Sequence, residues 1–247
     1  MKITVIVAVY NACNTIANTL ESLLNQTYDD VECIVIDGAS TDGTLKTIKR
    51  FEGGINYLIS EPDQGIYYAL NKGIARATGD VLGFLHSDDY FTDTMVLARV
   101  AVAMADPLFD ACYGDLCYVD RDDARIRYWH AGQYQRERLA WGWMPPHPTF
   151  YARKRVYQQF GVFDTSYRIA ADYDCLLRFL ITGGIRCVYI PSVLVAMRTG
   201  GMSNRSLKNI LLKSCEDYRA LRSNGVGGLG VLLAKNIRKI GQLIVGA

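Results

Sequence analysis

The 247-residue chain is half hydrophobic and 21% charged, a balance that excludes a disordered chain and suits one large α/β domain or a domain with a short extension. Seven cysteines without a CxxC pair read as free thiols of a reducing cytoplasm, and three histidines with no ligand spacing leave no case for a zinc site. Residues 205–247 hold eight Lys/Arg against Glu216 and Asp217, so the tail is +6 and the body −4, an asymmetry that argues against a nucleic-acid binder and points the tail at an anionic surface.

The near-continuous Val/Ile run Ile3–Val9 predicts a strand covered on both faces, too short to span a bilayer and without the small-residue cleavage site of a signal peptide. Asn14 is placed to cap a helix whose Ile16, Leu20, Leu23 and Leu24 recur at helical spacing. Strands follow at Cys33–Ile36, Ile55–Ile59 and Val81–Leu85, with helices over 42–51 and 65–77 between them. This alternation predicts a mainly parallel, doubly wound sheet. After residue 110 the pattern turns to antiparallel strands at Ala111–Val119 and Arg125–Trp129. Then come a Trp- and Pro-rich loop (Trp141 to His147), helices over 153–160, 172–183 and 205–222, and a strand at Arg186–Ile190. Gly225–Gly230 is a hinge before a last helix. The reading is one catalytic domain over 1–224, with halves at 1–110 and 111–224, and an extension over 225–247.

Ligands of open parallel sheets bind beyond the carboxyl ends of the strands. Four acids fall there: Asp37, Asp63, Asp88 and Asp89. The glycine-rich dinucleotide fingerprint and the P-loop are both missing, so the sheet offers carboxylates where a dehydrogenase offers backbone amides. Taken singly, Asp37-Gly38 reads equally as a turn, and Asp88 or Asp89 as a helix cap. Four at successive strand ends favour a site.

Val5-Ile-Val-Ala-Val-Tyr-Asn11, Asp37-Gly-Ala-Ser-Thr-Asp-Gly-Thr44, Ser60-Glu-Pro-Asp-Gln-Gly-Ile66 with Asn71-Lys-Gly73, and Gly79-Asp80 followed by His86-Ser-Asp-Asp89 carry a resemblance. Together they resemble family 2 glycosyltransferases of the surface-polysaccharide type, which have the GT-A fold: a Rossmann-like, mainly parallel sheet with a smaller antiparallel acceptor-side portion. The resemblance implies that Val9, Tyr10 and Asn11 pack on a nucleotide base and that Asp37 accepts from a uracil imide. It implies that Asp63 and Arg76 line the nucleotide pocket (Arg76 reads equally as a solvated helix charge) and that Asp88 binds ribose. Asp89 would hold Mn2+ or Mg2+ across the diphosphate, one or two carboxylates plus phosphate oxygens suiting a hard cation.

Asp172, in Ala170-Ala-Asp-Tyr-Asp174, aligns with the family's general base, which removes the acceptor hydroxyl's proton as the anomeric centre inverts. Ala171 stands where the family has a further acid, and Asp174 is a rival for the base. The resemblance implies that His147 is an acceptor-side contact, while a lone histidine is more often a structural hydrogen-bonder. Trp143, with Trp141 and Tyr134, either stacks on sugar faces or packs under the loop. Arg198, opening Arg198-Thr-Gly-Gly-Met-Ser-Asn204, resembles the start of a loop that closes over the diphosphate. The chain has neither a Gln-x-x-Arg-Trp signature nor an apolar span of about 20 residues, so single-sugar addition rather than processive synthesis is expected.

The implied activity is an inverting, metal-dependent transfer of a hexose from a UDP-sugar to a saccharide, polyprenyl-diphosphate-linked, in polysaccharide or lipopolysaccharide assembly. Rival readings are a non-catalytic nucleotide-sugar or glycan-binding module and a sugar nucleotidyltransferase, the latter lacking its Gly-rich Arg/Lys loop. In the tail, Leu229, Leu233, Ile237, Ile240 and Ile244 repeat at helical spacing, with Lys235, Arg238 and Lys239 on the other side. This helix either docks on the catalytic domain or holds the enzyme at the cytoplasmic face of a bacterial inner membrane.

Overall fold

The computed structural model describes residues 1–199 and 207–235. Ile3–Val9 forms β1, and all seven residues are buried. Its side chains alternate between two cores: Ile3, Val5, Val7 and Val9 on one face, Ile6 and Ala8 on the other. Helix α1 (Ile16–Leu24) buries Ile16, Thr19, Leu20 and Leu23, the one-faced stripe expected of an amphipathic helix. Asn14 does not cap it. Thr15 is the N-cap residue, and its hydroxyl instead reaches the Ser87 carbonyl at 2.8 Å.

Strands β2 (Val31–Asp37), β3 (Tyr57–Ser60) and β4 (Val81–Phe84) run parallel to β1, with α2 (Thr44–Ile48) and α3 (Ile66–Arg76) as crossovers. The helix expected over 42–51 stops at Ile48 and continues as 3-10 turns over Lys49–Gly54. Helix α3 lies close on β1 because residue 73 is glycine; a Cβ there would stand 2.4 Å from Ile6 Cγ2. Short β5 (Tyr90–Phe91) and α4 (Val96–Ala103) complete the first half.

The second half departs from the expected antiparallel arrangement. Strand β6 (Ala111–Val119) does pair antiparallel with β7 (Arg125–Trp129), but its other edge pairs parallel with β9 (Cys187–Arg198). Between β4 and β6 lies β8 (Tyr151–Arg153), antiparallel to both, so β6 and β9 point the same way as β1–β4. The sheet order is β3-β2-β1-β4-β8-β6-β9-β5, with β7 on β6. The strand read at Arg186–Ile190 therefore extends through Arg198, its pairing slipping near Pro191.

Helices α5 (Lys154–Phe160), α6 (Ala171–Leu177) and α7 (Leu207–Ser223) follow, and α6 widens into a π turn over Arg178–Thr182. The helices α3, α5, α6 and α7 cover one face of the sheet, and α1 with α4 the other. A helical segment over 229–235 rests on the α3–α7 side through Val231 and Leu232, leaving Leu229 and Leu233 more than 60% exposed. No helix among the described residues is long and apolar enough to cross a membrane.

Candidate active site

The loops leaving β1 and β2 are knitted together. Asn11 sits in the left-handed region at φ 48°, which asparagine tolerates better than most residues. Its N–H donates to Ser40 Oγ at 2.8 Å, and its Oδ1 accepts from the Thr41 N–H at 2.9 Å. Tyr10 stands 64% exposed over Gly38, an open aromatic face. Two expectations need correction here. The Val9 side chain turns into the core, 4% exposed, and only its carbonyl serves the loop, accepting the Gly38 N–H. Asp37 is 0% exposed, and its oxygens accept from the hydroxyls of Ser40 and Ser60 and from the Ser40 N–H. It ties the loops after β2 and β3 rather than standing open to a base.

After β3, Asp63 Oδ1 meets Lys72 Nζ at 2.7 Å while its Oδ2 is buried with no partner. Hydrogen bonds to Asp63 and Glu61 hold the Lys72 ammonium above the usual lysine value. Arg76 does not belong to this group. Because α3 runs back across the sheet, its last residue lies about 15 Å from its first. There the guanidinium covers the ring of Tyr57, the first residue of β3, at the opposite edge.

Beyond β4, Asp88 is half-buried and Asp89 is 1% exposed. Asp89 Oδ1 accepts the Arg198 N–H at 3.3 Å, but Oδ2 is buried and unpartnered. Burial first, and then the charge of Asp88, pushes the Asp89 carboxyl well above the carboxylate range, with Arg198 opposing. A buried carboxylate with one oxygen unpartnered is costly, and an orphaned oxygen beside a second carboxylate fits a divalent cation. No three His, Cys, Asp or Glu side chains converge as a metal cage among the described residues, so Asp88 and Asp89 would need oxygens from a ligand. Arg198 is at hand for those: its guanidinium donates to the Asp88 carbonyl at 3.1 Å and to Asp123 at 2.8 Å. The rest of that loop, from residue 200, lies outside the described residues.

Facing this edge is the start of α6. Asp172 is half-buried, and its Oδ1 accepts from the Tyr67 hydroxyl at 3.3 Å. Asp174, two residues on, points the other way and binds Arg178 at 3.3 Å and the Asn224 amide at 2.9 Å. Of the two acids, Asp172 is the one on the side of Tyr67 and His147. His147 lies between Asp172 and the segment that carries Asp89. Its ring stacks on Phe84 at 5.7 Å and lies 6.0 Å from His86, three residues before Asp89. Burial lowers its pKa to about 4; the nearby Asp172 charge opposes this and His86 adds to it. The imidazole is therefore neutral near pH 7.

Residues 4–171 match the family described as Glycosyl transferase family 2. The chain belongs to it. It is 29% identical over 214 residues to a PGL/p-HBAD biosynthesis glycosyltransferase of Mycobacterium bovis, covering 85% of this chain and 82% of that one. It is 33% identical over 195 residues to an uncharacterized glycosyltransferase of Mycobacterium tuberculosis, covering 75% and 72%. Among solved structures it resembles S. aureus TarS 1-349 in complex with UDP-GlcNAc (TM-score 0.70, 20% identity, 92% of this chain and 66% of that one). The mannosyltransferase PcManGT from Pyrobaculum calidifontis, in complex with GDP-Man and Mn2+, is equally similar (TM-score 0.70, 21% identity, 95% and 68%). These likenesses establish the GT-A fold for this glycosyltransferase.

Asp172 stands one residue beyond the family match, which leaves its placement to the glycosyltransferase's own geometry. That geometry includes two residues the sequence reading passed over. Lys72 lies within Asn71-Lys-Gly73, but its ion pairs with Glu61 and Asp63 become visible only in the fold. Glu216 of α7 has no local signal at all. Its carboxylate accepts the N–H groups of Arg168, Ile169 and Ala170 at 2.8–2.9 Å, and so fixes the segment that enters α6. Asn71 adds a two-way amide clasp on the backbone of Phe163.

Trp143 is a further correction. It is 6% exposed, its indole N–H donates to the Ala131 carbonyl at 2.8 Å, and it packs on Tyr113 and Tyr134. A buried indole with a satisfied N–H is core, and only Trp141, 69% exposed, is open from that loop. The tail reading is modified too. Lys235 is 8% exposed, paired with Asp217 at 2.9 Å and seated over the Tyr173 ring. The start of the last helix thus docks, and the expected stripe from Ile237 onward lies outside the described residues.

Proposed function

We propose that this glycosyltransferase moves a hexose from a UDP-sugar to a saccharide acceptor with inversion, one sugar per encounter. The observation that supports this is the position of His147, which lies within electrostatic reach of Asp172 and 6.0 Å from His86, three residues before Asp89, so that one imidazole stands between the Asp172 carboxylate and the Asp88–Asp89 segment. Asp172 accepts the acceptor hydroxyl's proton as that oxygen attacks the anomeric carbon. Tyr67, whose phenol burial and Asp172 keep protonated, shares its one O–H between the Ile169 carbonyl at 2.6 Å and Asp172 at 3.3 Å, and so positions Asp172 without taking up the proton. His147, uncharged, shapes the wall between the two carboxylates. Asp89, with Asp88 beside it, would hold a divalent cation, whose positive charge would offset the negative charge developing on the leaving nucleoside diphosphate. Arg198 is within reach to pair with the same diphosphate.

Donor choice rests on the family resemblance and on the UDP-GlcNAc bound by TarS, since the burial of Asp37 removes it as a base reader. Tyr10, Asn11 and Asp63 remain as the nucleotide-facing groups. The acceptor is read as polyprenyl-diphosphate-linked, and the enzyme as peripheral at the cytoplasmic face of the inner membrane. The exposed Leu229 and Leu233 and the +6 tail support that reading.

The test is donor hydrolysis with UDP-, GDP- and TDP-hexoses, with and without Mn2+. Hydrolysis of a UDP-hexose that requires the cation is expected. Preference for GDP or TDP overturns the donor assignment, and binding without any turnover turns the chain into a non-catalytic nucleotide-sugar module.

A further inference from the structure

Asp115 is 1% exposed, and nothing in the reaction above uses it. It lies mid-strand in β6, where pairing with β9 slips on both sides of it; such bulges re-aim side chains. Its Oδ1 accepts the Ala131 N–H and the Tyr189 hydroxyl, each at 2.8 Å. Its Oδ2 accepts the Tyr128 hydroxyl and lies 3.2 Å from His130 Nδ1. Four donors fill a carboxylate's capacity. The buried carboxylate thereby fixes three rings with polar tips; Tyr189 packs against the core through Tyr113, and the other two open outward. The His130 side chain is 65% exposed and Tyr128 is 37% exposed. Tyr128 and His130 lie nearly parallel at 6.1 Å, and Tyr189 meets His130 edge-on at 5.9 Å.

Register locates the group. Leu82 pairs with Ala152, and Ala152 with Ala111. The two strands stand two spacings or roughly 10 Å apart at Leu82 and Ala111, and four residues on, Asp115 is still in β6 while His86 is two residues past the end of β4. Tyr113 and Phe84 belong to one core, so Asp115 lies on the face of His147 and Asp172. Val119, paired with Arg198 beside Asp89, is about 13 Å further along β6. The group is therefore next to the wall that carries Asp172 and away from the diphosphate end.

We propose that Tyr128, His130 and Tyr189, held by Asp115, form a subsite for a pyranose ring of the acceptor. The ring's apolar face packs on the aromatic pair, and its hydroxyls bond to the imidazole and phenols. The proposal rests on the glycosyltransferase reading. It is tested by saturation-transfer NMR of the full chain with UDP and diamagnetic Mg2+ present, using methyl α-glycosides of glucose, galactose, mannose and rhamnose as probes. At least one should receive saturation from the wild type, and His130→Ala and Tyr128→Ala should each weaken it by roughly five-fold or more. UDP affinity by calorimetry should be unchanged in both. Tyr128→Ala removes a bond to a buried charge, so the exposed His130→Ala guards against a folding defect. Absence of transfer to every glycoside, or equal transfer to both variants, overturns the proposal. If the variants weaken UDP-glucose but not UDP, the subsite belongs to the donor sugar and the acceptor assignment falls. If UDP fails to bind the wild type, it is the donor-site reading that fails.

Discussion

The Tyr67 hydroxyl bonds both the Ile169 carbonyl, at 2.6 Å, and the Asp172 carboxylate, at 3.3 Å, joining residues more than a hundred positions apart. Through this one phenol, the first turn of α3 sets where the start of α6 stands. Glu216 holds the same segment from the other side by its three backbone N–H groups.

Asp172→Asn is expected to leave UDP affinity within about two-fold and to cut turnover by roughly 10²–10⁴, the usual scale for a general base. Asp174→Asn should retain turnover but lose stability by about 1–3 kcal/mol, because Arg178 and Asn224 lose a buried partner. Steady-state kinetics and urea melts of both variants decide it. A dead Asp174→Asn beside an active Asp172→Asn reverses the assignment.

Asp89 keeps an oxygen buried without a partner, which the folded protein tolerates at some cost. Asp89→Asn should therefore raise the melting temperature of the metal-free protein by roughly 2–4 °C, the shift that about 1 kcal/mol produces at this size. It should also abolish the effect of Mn2+ on UDP affinity. Scanning calorimetry and titration calorimetry read the two effects separately, and Mn2+-enhanced UDP binding in the variant contradicts the role given to Asp89.

His147 has a pKa of about 4 when folded against 6.5 when free. Between those values the unfolded chain takes up a proton that the folded chain refuses, so this group's contribution to stability shrinks as pH falls from 6.5 toward 4. The whole effect is on the order of 3 kcal/mol. His147→Phe, which can stack on Phe84 and Phe163, should lose less stability than the wild type between pH 7 and pH 5 in urea melts. Parallel loss in the two proteins would exclude His147 as the source.

For the tail, a chain ending at Lys235 keeps the docked contacts with Asp217 and Tyr173. It should hydrolyse donor normally yet float poorly with anionic phosphatidylglycerol vesicles. A chain ending at Asn224 should in addition melt at lower temperature, since it strips Val231 and Leu232 from the core. Unchanged flotation of the shorter chains refutes membrane attachment through this segment.

The parallel half of the sheet was legible because buried strands are near-continuous runs of Val and Ile, as in Ile3–Val9. Strand β9 was only half legible, since Pro191 breaks its pattern and its partner β6 lies some seventy residues earlier. Carboxylates at strand ends could be read as a site, but their exposure could not. Asp37 and Asp89 look alike in sequence, yet two serine hydroxyls satisfy the first while the second keeps an unpartnered oxygen. Arg76 misled because helical direction carries a residue away from the edge where its helix begins. Trp141 and Trp143 are two positions apart, and a single carbonyl on Ala131 decides which is buried. Glu216 depends wholly on tertiary docking of α7.

The pairing of β6 has a consequence for biosynthesis. Strands β7 and β8 share one of its edges and β9 takes the other, and all three are translated after it. The four parallel strands of the first half can zip together as they emerge, but β6, nearly all of whose residues end up buried, must wait for Arg198 before its last edge is covered. During that interval the growing chain presents an apolar strand with open backbone groups, the kind of edge that recruits other chains. Ribosomal pausing between Val119 and Cys187 would lengthen this exposure.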